Sequence, residues 1–181
     1  MLEDKLLIWK FKRGSLDALR QIYDKYKGDL LKLAIVMTGD ISGSEDVVQD
    51  VFVKLAESSD RIGIHGNLKN YLITCLMNRI RTLRRDGRRH KEAQIDQPAI
   101  ESSQVHHPDQ WAMLNEQMQQ LRHAMVQLPF EQREVVTLRF EAGLGFRKIA
   151  RIQNASINTV QGRYRYAIEK LRSVLDGELI K

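Results

Sequence analysis

Three sets of side chains have types and spacings suited to chemistry with a partner. The first lies between residues 156 and 165. Asn158, Thr159, Gln161, Arg163 and Arg165 fall on one side of a predicted helix, opposite an apolar stripe. Amide, hydroxyl and guanidinium groups read base edges and bind phosphates. The second set is the run NRIRTLRRDGRRHK, where seven cations (Arg79, Arg81, Arg84, Arg85, Arg88, Arg89, Lys91) meet Asp86 alone. Like charges one turn apart repel, so the run calls for an anion, and the prevalence of Arg favours phosphate or base contacts. The third set is Asp46, Gln49, Asp50 and Lys54, the outward side of an amphipathic segment. Such a polar face is ordinarily only solvated.

No catalytic constellation accompanies them. The sequence has no phosphate-binding glycine loop and no Cys-x-x-Cys. The five histidines (His65, His90, His106, His107, His123) lack partners at metal-ligand spacing, so no metal or other cofactor is expected. Asp46 and Asp50 lie one helical turn apart, but nothing nearby builds a pocket that would separate their pKa values.

The elements that position these residues are helices. Residues 145–172 read as a hairpin. Phe146, Ile149, Ala150 and Ile152 give its first helix an apolar face. Asn154 tolerates the left-handed turn, and Ser156 caps the second helix. There Val160, Tyr164, Ala167 and Leu171 form one stripe. Upstream, Leu2, Leu6 and Trp9 predict a short helix face. Leu16, Leu19, Ile22, Tyr23, Tyr26, Leu30, Leu33, Ala34 and Met37 predict the core side of a second helix. Ser42 or Ser44 caps a third, with Val47, Val48, Val51, Phe52 and Leu55 inward. A loop at 57–67 precedes a helix from Leu68 to Arg89, whose core side holds Tyr71, Leu72, Cys75, Leu76, Ile80 and Leu83. Cys75 is expected as a small core hydrophobe. Residues 91–110 have no period and hold two of the three prolines, which makes them a linker. Helices then resume with Trp111, Leu114, Met118, Leu121 and Met125, and after Pro129 with Val135, Val136, Leu138 and Phe140 inward. The class is therefore all-α, with two small helical domains (1–90 and 111–181) joined by a flexible linker.

Charge divides the chain. The first sixty residues carry nine Lys or Arg against eleven Asp or Glu. Residues 139–172 carry eight Lys or Arg against two Glu, the electrostatic footprint of a helix-turn-helix DNA reader. One cysteine excludes an internal disulfide and points to a reducing compartment. The first fifteen residues lack the long apolar core of a signal peptide, and no run reaches membrane-spanning length, so a cytoplasmic protein is expected.

The order of these motifs resembles the sigma factors of bacterial RNA polymerase, in particular the small extracytoplasmic-function (ECF) group of the sigma-70 family. Sigma region 2 is suggested by ALRQIYDKYKGDLLKLA (18–34), TGDISGSEDVVQDVFVKL (38–55) and NYLITCLMNRIRTLRR (70–85). Sigma region 4 is suggested by LPFEQREVVTLRF (128–140) and the hairpin. The resemblance covers nearly the whole chain and implies a subunit that binds core polymerase and directs promoter-specific initiation, without being an enzyme and without a small-molecule substrate. It implies that Asp46, Gln49 and Asp50 dock on the clamp helices of the largest polymerase subunit. It implies that loop 60–67 captures an unstacked base of the -10 element, beside Asn78, Arg79, Arg81, Arg84 and Arg85 on the melted strand. Ser156, Asn158, Thr159, Gln161 and Arg163 would read the -35 element, with Arg165 and Arg147 on phosphates. The acidic linker would lie in the polymerase cleft or RNA exit path. An anti-sigma protein, often membrane-bound in this group, would regulate the whole. Tyr71 in place of a common Trp, Asn154 in place of a turn Gly, Ala155 and Gly162 depart from the family pattern. Gly162 reads either as a point of close backbone approach to DNA or as simple drift. The competing reading is a stand-alone helix-turn-helix regulator, which needs neither the Arg-rich run at 79–91 nor the acidic face at 45–50.

Overall fold

The computed structural model describes residues 2–58, 67–93 and 116–178, with side chains placed for 3–58, 67–87 and 120–174. All regular structure among them is helical. The chain divides into two compact units, Met1–Ser103 and Gln104–Lys181. Four helices are described in the first: α1 (Leu2–Lys12), α2 (Leu16–Thr38), α3 (Ile41–Glu57) and α4 (Leu68–Ala93). Four are described in the second: α5 (Glu116–Val126), α6 (Phe130–Phe140), α7 (Phe146–Gln153) and α8 (Ile157–Glu178). The expected base-capturing loop except Asn67, and most of the expected linker, with Trp111 and Leu114, lie outside the described residues.

In the first unit α2 packs on α1, α3 and α4, and α3 packs on α4. The inward side of α2 (Ala18, Ile22, Tyr26, Leu30, Leu33, Ala34, Met37) holds a strict helical period and is buried. Leu16, the first residue of the helix, does not belong to it and is 80% exposed. Tyr23 is also exposed, lying edge-on to Phe52 at 4.8 Å. The α1 stripe differs from expectation. Leu7, Ile8 and Phe11 are buried, while Leu6 and Trp9 face outward, Trp9 beneath the Arg13 guanidinium at 3.9 Å. In an eleven-residue helix with apolar residues on every side, spacing alone leaves that choice open.

Polar ties decide it. Tyr26 Oη donates to Asp4 Oδ1 at 2.8 Å, and Lys25 Nζ donates to the same oxygen at 2.9 Å and to Glu3 Oε2 at 2.6 Å. Burial pushes the Asp4 carboxyl upward. The hydrogen bonds from Lys25 and Tyr26 and the Lys25 charge outweigh it and hold the group below 3.8. Burial, and then the bond to Asp4, push Tyr26 up to about 12.

Helix α3 begins earlier than its serines suggest. Asp40 is its cap, accepting from the backbone N–H groups of Ser42 and Gly43. Ser44 is instead wholly buried, bonded to the Asp40 carbonyl and the Thr38 hydroxyl. Along α4, Leu68, Leu72, Ile73, Leu76, Met77 and Ile80 are buried, and Leu83 is exposed. Cys75 is only partly buried. Burial pushes its thiol up, and it contacts Tyr71, which burial raises to about 12. A thiol held protonated is a poor nucleophile. The helix runs to Ala93, three residues into the expected linker.

In the second unit α8 is the hub, packed on α5, α6 and α7. Val160, Ala167 and Leu171 are buried, with Tyr164 partly so. Val135, Val136 and Leu138 are buried as expected, but Phe140 is 65% exposed and stacks beside Tyr164 at 6.3 Å. Glu134 takes a core position, fully buried, which its side-chain type does not suggest.

The Asp4 carboxylate sets a pH dependence. A depressed folded pKa contributes stability above the unfolded value and loses it as pH falls through the folded one. Asp4→Asn is expected to cost about 1 kcal/mol at pH 7. The melting temperatures of variant and parent should converge as pH drops below 3.8. Thermal melts across this range check it, and a constant gap would contradict it.

Candidate polymerase and nucleic-acid interfaces

Asp46, Gln49 and Asp50 sit at i, i+3 and i+4 on α3, opposite the buried Val47, Val48 and Val51. Asp46 and Gln49 are exposed. Asp50 is partly covered, because its Oδ2 accepts from Arg79 Nε at 2.7 Å and pairs with Nη2 at 2.5 Å. A residue expected on polymerase and one expected on melted DNA are thus tied to each other across α3 and α4.

That tie splits the set expected at the -10 element. Helical period places Asn78, Arg81 and Arg85 on one outward side of α4, and Arg79 on the other, against α3. Arg81 Nη1 donates to Asn78 Oδ1 at 3.2 Å, and Arg85 lies 3.6 Å from Asp86. Arg84 is partly buried on the flank. Arg88, Arg89 and Lys91 have helical backbone, but their side chains lie outside the described residues.

The hairpin follows its expected geometry closely. Asn154 ends α7 in the left-handed region, φ 49° and ψ 49°. Thr159 N donates to Ser156 Oγ at 3.0 Å, so Ser156 caps α8. The same hydroxyl shares a 2.8 Å bond with Thr159 Oγ1, which engages two expected base readers with each other. Asn158, Thr159, Gln161 and Arg165 are exposed on α8, and Arg147 is exposed on α7. Gly162 lies amid them, and a Cβ built on it would meet nothing within 4 Å. Arg163 stands apart. It is about 140° round the helix from Asn158 and points to the α7 side, where its Nη1 donates to Gln153 Oε1 at 2.7 Å.

Two features escaped the sequence. The Asp50–Arg79 pair joins residues 29 apart with no shared period. Glu134 and Gln153 form a polar bridge under the recognition helix, with Gln153 Nε2 donating to Glu134 Oε2 at 2.9 Å. The signal for Glu134 was present: it lies four residues before Leu138 on an apolar stripe. Among the described residues no cluster of His, Cys, Asp and Glu could hold a metal ion, and no helix is long and apolar enough to cross a membrane.

Gly162 is helical with open space around it. Gly162→Ala is therefore expected to stabilise the second unit by about 1 kcal/mol, measured by thermal or denaturant unfolding. A loss of stability would contradict this geometry.

Comparison with known proteins places this geometry. Residues 22–90 match the family described as Sigma-70 region 2, and residues 124–173 match Sigma-70, region 4, together about two thirds of the chain. The ECF RNA polymerase sigma factor SigW of Bacillus subtilis is 26% identical over 179 residues, covering 94% of this chain and 96% of that protein. The ECF RNA polymerase sigma factor SigL of Mycobacterium tuberculosis is 29% identical over 161 residues, covering 87% and 88%. The structure of the sigma factor RpoE with the anti-sigma factor NepR from Bartonella quintana has a TM-score of 0.71 at 28% identity, over 87% of this chain and 96% of that one. CnrH, solved with the cytosolic domain of CnrY, shares the fold with a TM-score of 0.69 at 22% identity, over 96% and 97% of the two chains.

Proposed function

Because the chain belongs to the sigma-70 family of RNA polymerase sigma factors, within its ECF group, we propose a division of labour between its two units. The protein is an initiation factor that binds core polymerase and directs promoter-specific transcription. A stand-alone regulator is not favoured, since a region 2 match accompanies the helix-turn-helix. In this reading 1–90 binds core and opens the -10 element, 91–110 links, and 111–181 reads the -35 element. The polymerase performs the chemistry, and this chain itself is not an enzyme. The cytoplasm, where the polymerase works, is its place.

Asp46, Gln49 and Asp50 contact the clamp helices of the largest polymerase subunit. Their common outward face on α3 supports this. Asn78, Arg81 and Arg85 face the melted strand, flanked by Arg84. Arg79 lies on the other side of α4, against α3, where it orients Asp50. On α8, Asn158, Thr159 and Gln161 read bases from an exposed face, while Arg165 and Arg147 take phosphates. Ser156 contributes the cap that fixes the helix end and lies at the DNA-facing N-terminus. Arg163 reads from the flank. An anti-sigma protein regulates the factor; the relative RpoE was solved with one. The observation that carries this reading is the pairing of an acidic, outward α3 face in one unit with a capped, cationic recognition helix in the other.

Asp50→Arg should weaken core binding at least tenfold, measured by fluorescence titration of core polymerase, because it reverses a charge and repels Arg79. Unchanged affinity would sink the clamp assignment. Arg165→Ala should weaken holoenzyme binding to all upstream elements alike and reduce the salt slope by about 1. A change confined to particular base pairs would instead make Arg165 a base reader.

A further inference from the structure

We propose that Gln153 is a positioning residue for promoter recognition, holding Arg163 in a fixed direction through a relay anchored on buried Glu134. This rests on the reading of Arg163 as a base contact. The relay crosses three helices. Gln153 Nε2 donates to Glu134 Oε2 at 2.9 Å and to the Glu131 carbonyl at 2.9 Å, both on α6. Gln153 Oε1 accepts from Arg163 Nη1 on α8 at 2.7 Å. Gln153 itself is the last residue of α7.

The amide is locked in one orientation by the chemistry of its neighbours. Both partners of Nε2 are acceptors, and guanidinium has donors alone. A flipped amide would set oxygen against two oxygens and an NH2 group against a cation. Glu134 is fully buried and cannot swing out to water. Its place is set by the α6 core around Val135 and Leu138. The direction of Arg163 is therefore inherited from the core, through one amide.

Only one of five guanidinium N–H donors is spent on Gln153. The others remain for a base edge or a phosphate. An arginine ordered before DNA arrives loses less rotamer freedom on binding than a free one. Pre-orientation also confers selectivity, because a donor fork fixed in direction rejects acceptors at the wrong place. Arg163 lies on the flank of the recognition face, where a free arginine would sample many contacts.

The test uses holoenzyme, assembled from core polymerase and the full chain, bound to a promoter library with a randomised -35 element and sequenced. Arg163→Ala should relax base discrimination at one or two positions, by about tenfold. Gln153→Met, which keeps length but removes both halves of the amide, should relax the same positions and no others. The double variant should look like Arg163→Ala alone. Glu134→Gln keeps an acceptor for Gln153 Nε2 and should retain the discrimination. If Gln153→Met weakens every sequence uniformly, or leaves discrimination intact while Arg163→Ala relaxes it, Gln153 is merely structural and the proposal fails. If Arg163→Ala changes nothing, both the base-contact reading and the relay's role fall. Should Gln153→Met not fold, Glu134→Leu, which removes the anchor and leaves an apolar side chain in the core, decides alone: retained discrimination at the Arg163 positions in a folded protein overturns the proposal.

Discussion

A helix in a small unit can bury one stripe, and the 3.6-residue period then dictates which residues are left for partners. Every interface of this chain depends on that constraint. On α3 the buried Val47, Val48, Val51 and Phe52 leave Asp46, Gln49 and Asp50 on the outward side. On α4 the buried Leu72, Leu76 and Ile80 leave Asn78, Arg81 and Arg85. On α8 the buried Val160, Ala167 and Leu171 leave Asn158, Thr159, Gln161 and Arg165. Core and interface are two faces of the same residues in sequence, so neither can shift register without the other.

Flanking residues obey a second rule. A charged side chain at the edge of a buried stripe finds a partner on the neighbouring helix. Arg79 finds Asp50, and Arg163 finds Gln153. Such pairs contribute modestly to stability when partly exposed, yet they fix the direction of groups on the faces proposed for polymerase and DNA. In the first unit the same logic docks α1, where Asp4 gathers both Lys25 and Tyr26.

Long, strongly periodic elements were legible in the sequence. α3 and the hairpin emerged with their inward residues, α2 with most of its own, and Asn154 and Ser156 emerged with their capping roles, because turn and cap chemistry is local. The α1 stripe was not legible, because Leu6, Leu7, Ile8, Trp9 and Phe11 supply apolar candidates on every side. Nor was the exposure of Leu16 and Phe140, since residues at helix ends pack according to what lies beyond them. The α3 cap moved to Asp40 because three candidate caps lie within five residues. That Arg79 stands apart from Asn78, Arg81 and Arg85 was not legible for another reason. Charge density along a sequence does not distinguish an arginine on the open face from one turned toward an acid on the next helix.

The central claim is that this chain confers promoter choice on core polymerase. Run-off transcription with purified core, with and without the protein, on a library of genomic promoter fragments tests it most directly. New transcripts are expected from a discrete set of fragments that share two spaced elements, and none of them from core alone. An identical transcript profile in both reactions, with no association between the protein and core, would contradict it.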